Sequence, residues 1–301
     1  MHAIDPMHPT SSITVALRAP YLYALGGTVP ADRPLSFFPE RKRGWLSVQC
    51  YVLRDIDSFL VLDTGLTIHR DAIAEGLHAL VGDTSERVMV STRREPDAII
   101  NLPWIVTDLR IQKVYAGGEL TPLDFFDKVD FASARAHIEA SAGVTPASLM
   151  PGAIISVGRL QLEVLRTSLR VLFTNWFYEA TTRTLFSSDS WGLLTSPESG
   201  LPRAVTPADA DISPDAIVEF LAVKFDWLMG INTAPIIADL EALVADRPID
   251  RICPTYGSII EGADACAQVF ENTLEALRRV SGLPRRRATE GYNLRAMRLG
   301  R

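Results

Sequence analysis

Residues 47–65 read SVQCYVLRDIDSFLVLDTG. Two runs rich in apolar residues, Ser47 to Leu53 and Phe59 to Leu62, flank the polar turn Arg54-Asp55-Ile56-Asp57, which predicts a β-hairpin. It ends at Asp63-Thr64-Gly65, a turn sequence in which an aspartate commonly binds backbone amides. Outward from there, Ile73, Leu77, Leu80 and Val81 recur at helical spacing between Arg70 and Gly82, so a helix lays an apolar stripe on the sheet. A strand over Arg87 to Val90 follows, leading into Ser91-Thr92-Arg93-Arg94-Glu95-Pro96-Asp97. Ala98 to Val106 then reads as helical, with Pro96 tolerated at its start, and Ile111 to Tyr115 as another strand. Alternation of strand and helix calls for crossover connections and a sheet covered on at least one face.

The second half repeats the theme. Between Ala116 and Asp130, Gly117-Gly118, Pro122 and Phe125-Phe126 predict a structured loop of the kind that walls a pocket. Strands are expected at Ile154–Val157, Leu160–Leu165, Arg170–Phe173 and Thr184–Ser187, the last ending at Asp189-Ser190-Trp191-Gly192. Thr195 to Pro214 reads as a surface connection, followed by helices over Asp215–Met229 and Pro235–Ala245. A strand over Ile249–Cys253 meets Pro254-Thr255-Tyr256-Gly257, and a last helix, Ala263–Val280, aligns Val269, Phe270, Leu274 and Leu277. The expected organisation is one domain over 1–284, with its core at about 47–280, and a mobile basic tail over 285–301 carrying six arginines against Glu290.

A chain of 301 residues that is 47% hydrophobic and only 22% charged can fill a large core and does not have the composition of a disordered protein. Its formal charge of −6 offers no general attraction to nucleic acid or anionic membrane. Cys50, Cys253 and Cys266 are odd in number and far apart, which argues against a disulfide framework or a cysteine zinc site and fits a reducing compartment. Met1 to Thr10 lacks the pattern of a secretory leader, and no run is apolar for as many as ~18 residues. The expectation is a soluble, cytoplasmic protein, with homo-oligomerisation left open.

Four landmarks in order carry a resemblance: Asp63-Thr64-Gly65 after a hairpin, Glu95-Pro96-Asp97 after a strand, Leu185-Phe186-Ser187-Ser188-Asp189, and Ile252-Cys253-Pro254-Thr255-Tyr256-Gly257. Together, over roughly Ser47 to Val280, they resemble the metallo-β-lactamase superfamily, nearest its flavodiiron-like subgroup. The resemblance implies an α/β fold, an αββα sandwich of two mixed sheets flanked by helices. In that subgroup a His-x-Glu-x-Asp-His motif precedes a helix carrying Leu-Pro. Here the run is Arg93-Arg94-Glu95-Pro96-Asp97-Ala98, with Leu102-Pro103 at the same offset. Arg93 and Ala98 stand where that motif has histidines. The later ligand positions fall near Arg170 and on Tyr256, and no histidine follows His137. His2, His8, His69, His78 and His137 lie away from the landmarks and read as solvated or packed side chains.

The resemblance with its histidines replaced implies a degenerate metal site with no zinc or diiron cofactor. Arg93 is expected to take the metal position and neutralise the carboxylates, since a guanidinium matches a carboxylate in two-point contact. Three functional classes follow. The preferred one is a metal-independent protein that binds a small, anionic molecule in the remnant cleft through Arg93 and Arg170. If it is an atypical hydrolase, Glu95, Asp97, Asp189 and Tyr256 are the catalytic candidates. The second is a metal-dependent hydrolase or oxidoreductase with a carboxylate-rich centre. The third is a non-catalytic scaffold acting through the apolar stretch 120–126 or the arginine tail. For individual residues the plainer reading competes: Asp63 fixing a turn, Cys253 an inert buried thiol, Trp176 and Trp191 packing in the core.

Overall fold

The computed structural model describes residues 14–31, 42–117, 145–171 and 173–284. The stretch 118–130 of the expected pocket-wall loop, the tail at 285–301, His2, His8 and His137 lie outside the described residues.

The hairpin read from residues 47–65 is the middle of a larger sheet. Seven strands lie side by side in chain order: β1 (Thr14–Arg18), β2 (Leu22–Pro30), β3 (Trp45–Arg54), β4 (Ser58–Leu62), β5 (Glu86–Val90), β6 (Lys113–Ala116) and β7 (Thr145–Ser148). Pairing is antiparallel from β1 to β4 and parallel from β4 to β7. The change of sense accompanies the helices α1 (Arg70–Val81), α2 (Pro96–Ile99) and α3 (Leu102–Asp108), which supply the crossovers from β4 to β5 and from β5 to β6 that parallel neighbours need. A second seven-stranded sheet is built from β8 (Ile154–Val157), β9 (Leu160–Arg166), β10 (Asn175–Glu179), β11 (Thr184–Ser188), β12 (Ala204–Val205), β13 (Arg251–Pro254) and β14 (Ile259–Glu261), in the order β12-β14-β13-β11-β10-β9-β8. Its β11 and β13 are parallel, joined through α4 (Pro214–Lys224) and α5 (Ala234–Ala245), and α6 (Ala263–Ser281) follows β14.

The period of two along each strand decides what faces what. Tyr51, Leu53, Leu60 and Leu62 point between the sheets and meet Leu162, Val164, Phe177, Phe186 and Cys253. Their neighbours Cys50, Val52, Phe59 and Val61 point outward onto Ile73 and Leu77 of α1 and Leu102 and Ile105 of α3. On the far side, Trp176, Tyr178, Leu185 and Ile252 are covered by Ile217, Phe220 and Leu221 of α4 and by Val269 and Leu277 of α6. Both faces of the central strands are therefore buried, which is why β3 and β4 read as nearly continuous apolar runs. The architecture is an αββα sandwich of two mixed sheets. No helix of the described residues is long and apolar enough to cross a membrane.

Three local expectations need correction. The helix expected over Ala98–Val106 is two helices, α2 and α3, because Pro103 in the first turn of α3 has no amide to continue the preceding ladder. The expected strand Arg170–Phe173 is not one: Val171 and Phe173 are 43% and 66% exposed, and the buried strand paired with β9 and β11 is Asn175–Glu179. The core also begins well before residue 47, since β1 and β2 extend the first sheet. Gly26-Gly27 disguises β2 in the sequence. Gly26 has φ 137°, and a Cβ there would lie 2.2 Å from the Val48 carbonyl oxygen, so the close pairing of β2 with β3 requires glycine.

Candidate functional site

The C-terminal ends of β4, β5, β11 and β13 converge, where open α/β sheets tend to gather their functional groups. They present Asp63, the loop Ser91–Asp97, the pair Ser188-Asp189 and the pair Thr255-Tyr256. Asp63 and Ser188 hold left-handed backbone (φ 60° and 57°), a strained conformation for residues with a side chain, and hydrogen bonds lock them. Asp63 accepts from the Thr92 amide (2.7 Å), the Thr92 hydroxyl (2.9 Å) and the Thr255 hydroxyl (2.6 Å), and the Ser188 hydroxyl donates to Thr92 Oγ1 (2.9 Å). Asp63 thus joins the two sheets as well as fixing its turn.

Arg93 lies at the centre of these groups and is only 1% exposed. Its Nη1 donates to Ser188 Oγ (3.0 Å) and Thr255 Oγ1 (3.1 Å), its Nη2 pairs with Asp97 Oδ2, and its Nε is 3.1 Å from Glu95 Oε2. A second cation, Lys224 at the end of α4, places Nζ 3.0 Å from Asp189 Oδ2 and 3.9 Å from Glu95 Oε2. The Asp189 contact is an ion pair by distance although neither carboxylate oxygen completes an aligned hydrogen bond. The Tyr256 ring lies beside both cations, 5.8 Å from the Arg93 guanidinium and 5.7 Å from the Lys224 ammonium. Its loop is pinned because a Cβ on Gly257 would come within 2.7 Å of the Gly192 backbone.

Four carboxylates, Asp63, Glu95, Asp97 and Asp189, therefore surround two buried cations. Burial alone would lower the Arg93 pKa, but Asp97, Asp189 and Glu95 together hold it above its ordinary value, so it stays charged. Burial pushes the Asp97 carboxyl up despite Arg93 beside it, and burial with nearby Asp189 pushes the Tyr256 phenol far up. Asp63 is pushed up to about 6, chiefly by burial and against the pull of Arg93. A folded-state pKa above the ordinary 3.8 means that the native state holds this proton more tightly. The stability it supplies is complete below about pH 4 and is lost as pH rises through about 6, an effect of up to about 3 kcal/mol. Asp63→Asn, which keeps an acceptor for the Thr92 amide, is expected to flatten the fall in Tm between pH 4 and 7. An unchanged slope in a thermal-melt series would contradict this assignment.

Of the residues singled out from sequence, Arg93, Glu95, Asp97, Asp189 and Tyr256 come together here. Arg170 does not: it makes no hydrogen bond or ion pair with the cluster and lies in the connection before β10, because the strand expected around it is absent. The structure therefore does not bring Arg170 to the cluster that holds Arg93. Lys224 was not singled out. Its signal was present, since Ile217, Phe220 and Leu221 form the buried stripe of α4 and Lys224 continues it at the next helical repeat. His69 lies away from the centre, its Nε2 3.3 Å from the Thr28 carbonyl oxygen.

No family model and no curated protein matches the chain. Solved structures do. Rubredoxin oxygen:oxidoreductase from Desulfovibrio gigas superposes with a TM-score of 0.64 at 16% identity, over 88% of this chain and 61% of that one. A flavo di-iron protein mutant from Thermotoga maritima gives 0.61 at 14% identity, over 88% and 61%. A 254-residue fragment of a putative diflavin flavoprotein from Nostoc sp. PCC 7120 gives 0.59 at 13% identity, over 89% and 97%. The fold is metallo-β-lactamase-like, in its flavodiiron form. The chain spans about three fifths of the first two proteins, 61% of each.

These likenesses correct one expectation. The missing histidines imply the absence of a zinc or diiron cofactor, whereas several proteins that share this fold are described as flavo di-iron, one of them as a metal-soaked flavodiiron core from Synechocystis. The fold therefore gives no ground for expecting a cofactor-free protein. The side chains present at the strand ends do not, as arranged, fit a metal pair. No group of three or more His, Cys, Asp or Glu among the described residues is placed to hold an ion, and a guanidinium and an ammonium lie against the carboxylates.

Proposed function

We propose that this metallo-β-lactamase-fold chain is a small-molecule binding protein, in which the fixed charges of Arg93 and Lys224 at the strand ends recognise an anionic group. One observation carries the reading. Two cations, 1% and 3% exposed, are brought from different layers of the sandwich to a single carboxylate, Glu95, whose side chain is 29% exposed. Buried charges are costly and persist where they are paired; Asp97 and Asp189 are the nearer partners of Arg93 and Lys224, and Glu95, the acid both cations share, stands at the solvent boundary. Of the four groups weighed as catalytic, Asp189 and Tyr256 serve as counter-ion and neighbouring ring. Glu95, at 29% exposed, is the one within reach of solvent for acid–base work in a hydrolase-like variant of this reading, since Asp97 Oδ1 is buried and its Oδ2 is held by Arg93.

The oxygen:oxidoreductase activity belongs to the Desulfovibrio protein, and nothing in the arrangement of Arg93 and Lys224 favours it here. The net charge of −6 favours a small-molecule partner over nucleic acid or an anionic membrane, and the three buried, unpaired cysteines suit a reducing cytoplasm. The test is a thermal-shift panel of mono- and dicarboxylates, phosphates and sulfates at constant ionic strength. At least one anion is expected to raise Tm saturably, and Arg93→Met is expected to abolish that rise. No response to any of them, or an equal response in the variant, would defeat the reading.

A further inference from the structure

The fit of Glu95 to its two cations is poor, and that goes beyond the reading above while resting on it. Arg93 Nε is buried and makes no hydrogen bond, although Glu95 Oε2 lies 3.1 Å away, because the two are misaligned. Lys224 Nζ lies 3.9 Å from the same oxygen, beyond hydrogen-bond reach. One carboxylate oxygen therefore sits over two cations and satisfies neither fully. Glu95 is also the most exposed acid of the cluster: 29%, against 16% for Asp97 and 0% for Asp63 and Asp189. It precedes α2 with extended backbone (φ −97°, ψ 157°) and makes no capping bond with its side chain. Rotation about its side-chain torsions alone would turn the carboxylate out to solvent.

We infer that Glu95 is the built-in occupant of a small-carboxylate site. A ligand carboxylate takes its place between Arg93 and Lys224, beside Tyr256, and the Glu95 side chain turns outward. The exchange replaces one monoanion by another and leaves the charge of the cluster unchanged. The same bookkeeping disfavours phosphate: with four carboxylates around two cations, a dianion would add negative charge to a buried centre already in excess. Better alignment with Arg93 Nε is what the incoming group gains, since a hydrogen bond weakens steeply as its donor angle closes.

Glu95→Ala tests this by emptying the position. The variant is expected to melt below wild type and to be rescued saturably by formate or acetate. The expected rise is about 2–3 °C once the anion reaches ten times its Kd, larger than with chloride or phosphate at equal ionic strength. Wild type should respond less, because its own carboxylate competes, and Glu95→Ala/Arg93→Met should not respond. Formate acting no better than chloride, or acting equally on the double variant, overturns the inference. Should Glu95→Ala fail to fold, Glu95→Ser, whose short side chain leaves the position open and can cap α2, supplies the same comparison. If the wild-type anion panel is silent while Glu95→Ala is rescued, the occupant stands and the ligand-binding function falls. If a panel anion binds wild type but rescue is absent, only the present inference falls.

Discussion

Arg93→Met is expected to lower the stability of the folded chain by about 3–5 kcal/mol, the cost typical of breaking a buried ion pair by removing one partner. The methionine fills a similar volume and is content in an apolar site, so the loss comes from what is left behind. Glu95 and Asp97 lose their counter-ion, and Ser188 and Thr255 lose a charged donor. A marginally stable domain has only about 5–15 kcal/mol in hand, so urea unfolding should show a large shift in midpoint. Arg93→Lys should recover only part, because an ammonium at the end of a flexible stem cannot reach carboxylates and hydroxyls in the directions the guanidinium fork does. A loss under about 1 kcal/mol for Arg93→Met would mean that the carboxylates are compensated some other way.

Lys224→Met is the second large effect, expected to cost about 3 kcal/mol. Asp189 is completely buried and Lys224 is its ion-pair partner at 3.0 Å, so the substitution strands a carboxylate with no access to water. The burial of α4 through Ile217, Phe220 and Leu221 is not disturbed, which keeps the helix in place and confines the damage to charge. The companion Asp189→Asn in the Lys224→Met background is expected to regain much of the loss, since both charges are then gone. A double variant as unstable as the single one would show that Lys224 matters through packing and not through Asp189.

The fold was legible where burial on both faces leaves a strong apolar signal. The β3–β4 hairpin, α1 and β11 fall within a residue or two of their expected bounds. β2 was hidden because its glycines serve a close strand approach and remove the residues that mark a strand. β10 was hidden because the apolar run just before it, around Val171 and Phe173, is exposed, while the buried strand begins and ends on Asn175 and Glu179. The same misplaced strand set the expected position of Arg170, which lies in the connection before β10 and outside the cluster.

At the site, Arg93, Glu95, Asp97, Asp189 and Tyr256 could be picked from landmarks because each follows a strand end. Lys224 could not be placed this way, since its role depends on a helix of the second half reaching a loop of the first. Only the charge interrupting an apolar stripe hinted at it. The missing histidines were also legible, but they speak of ligands and not of what the fold's solved members carry, so the cofactor expectation drawn from them was overturned.

The most direct measurement of whether protein cations balance the carboxylates is a double-mutant cycle on Arg93 and Asp97, using Arg93→Met, Asp97→Asn and the pair together in urea unfolding at pH 7. A coupling of about 2–3 kcal/mol, with the pair clearly more stable than Arg93→Met alone, is the predicted result. Additive losses, with coupling below about 0.5 kcal/mol, would contradict a centre held by Arg93.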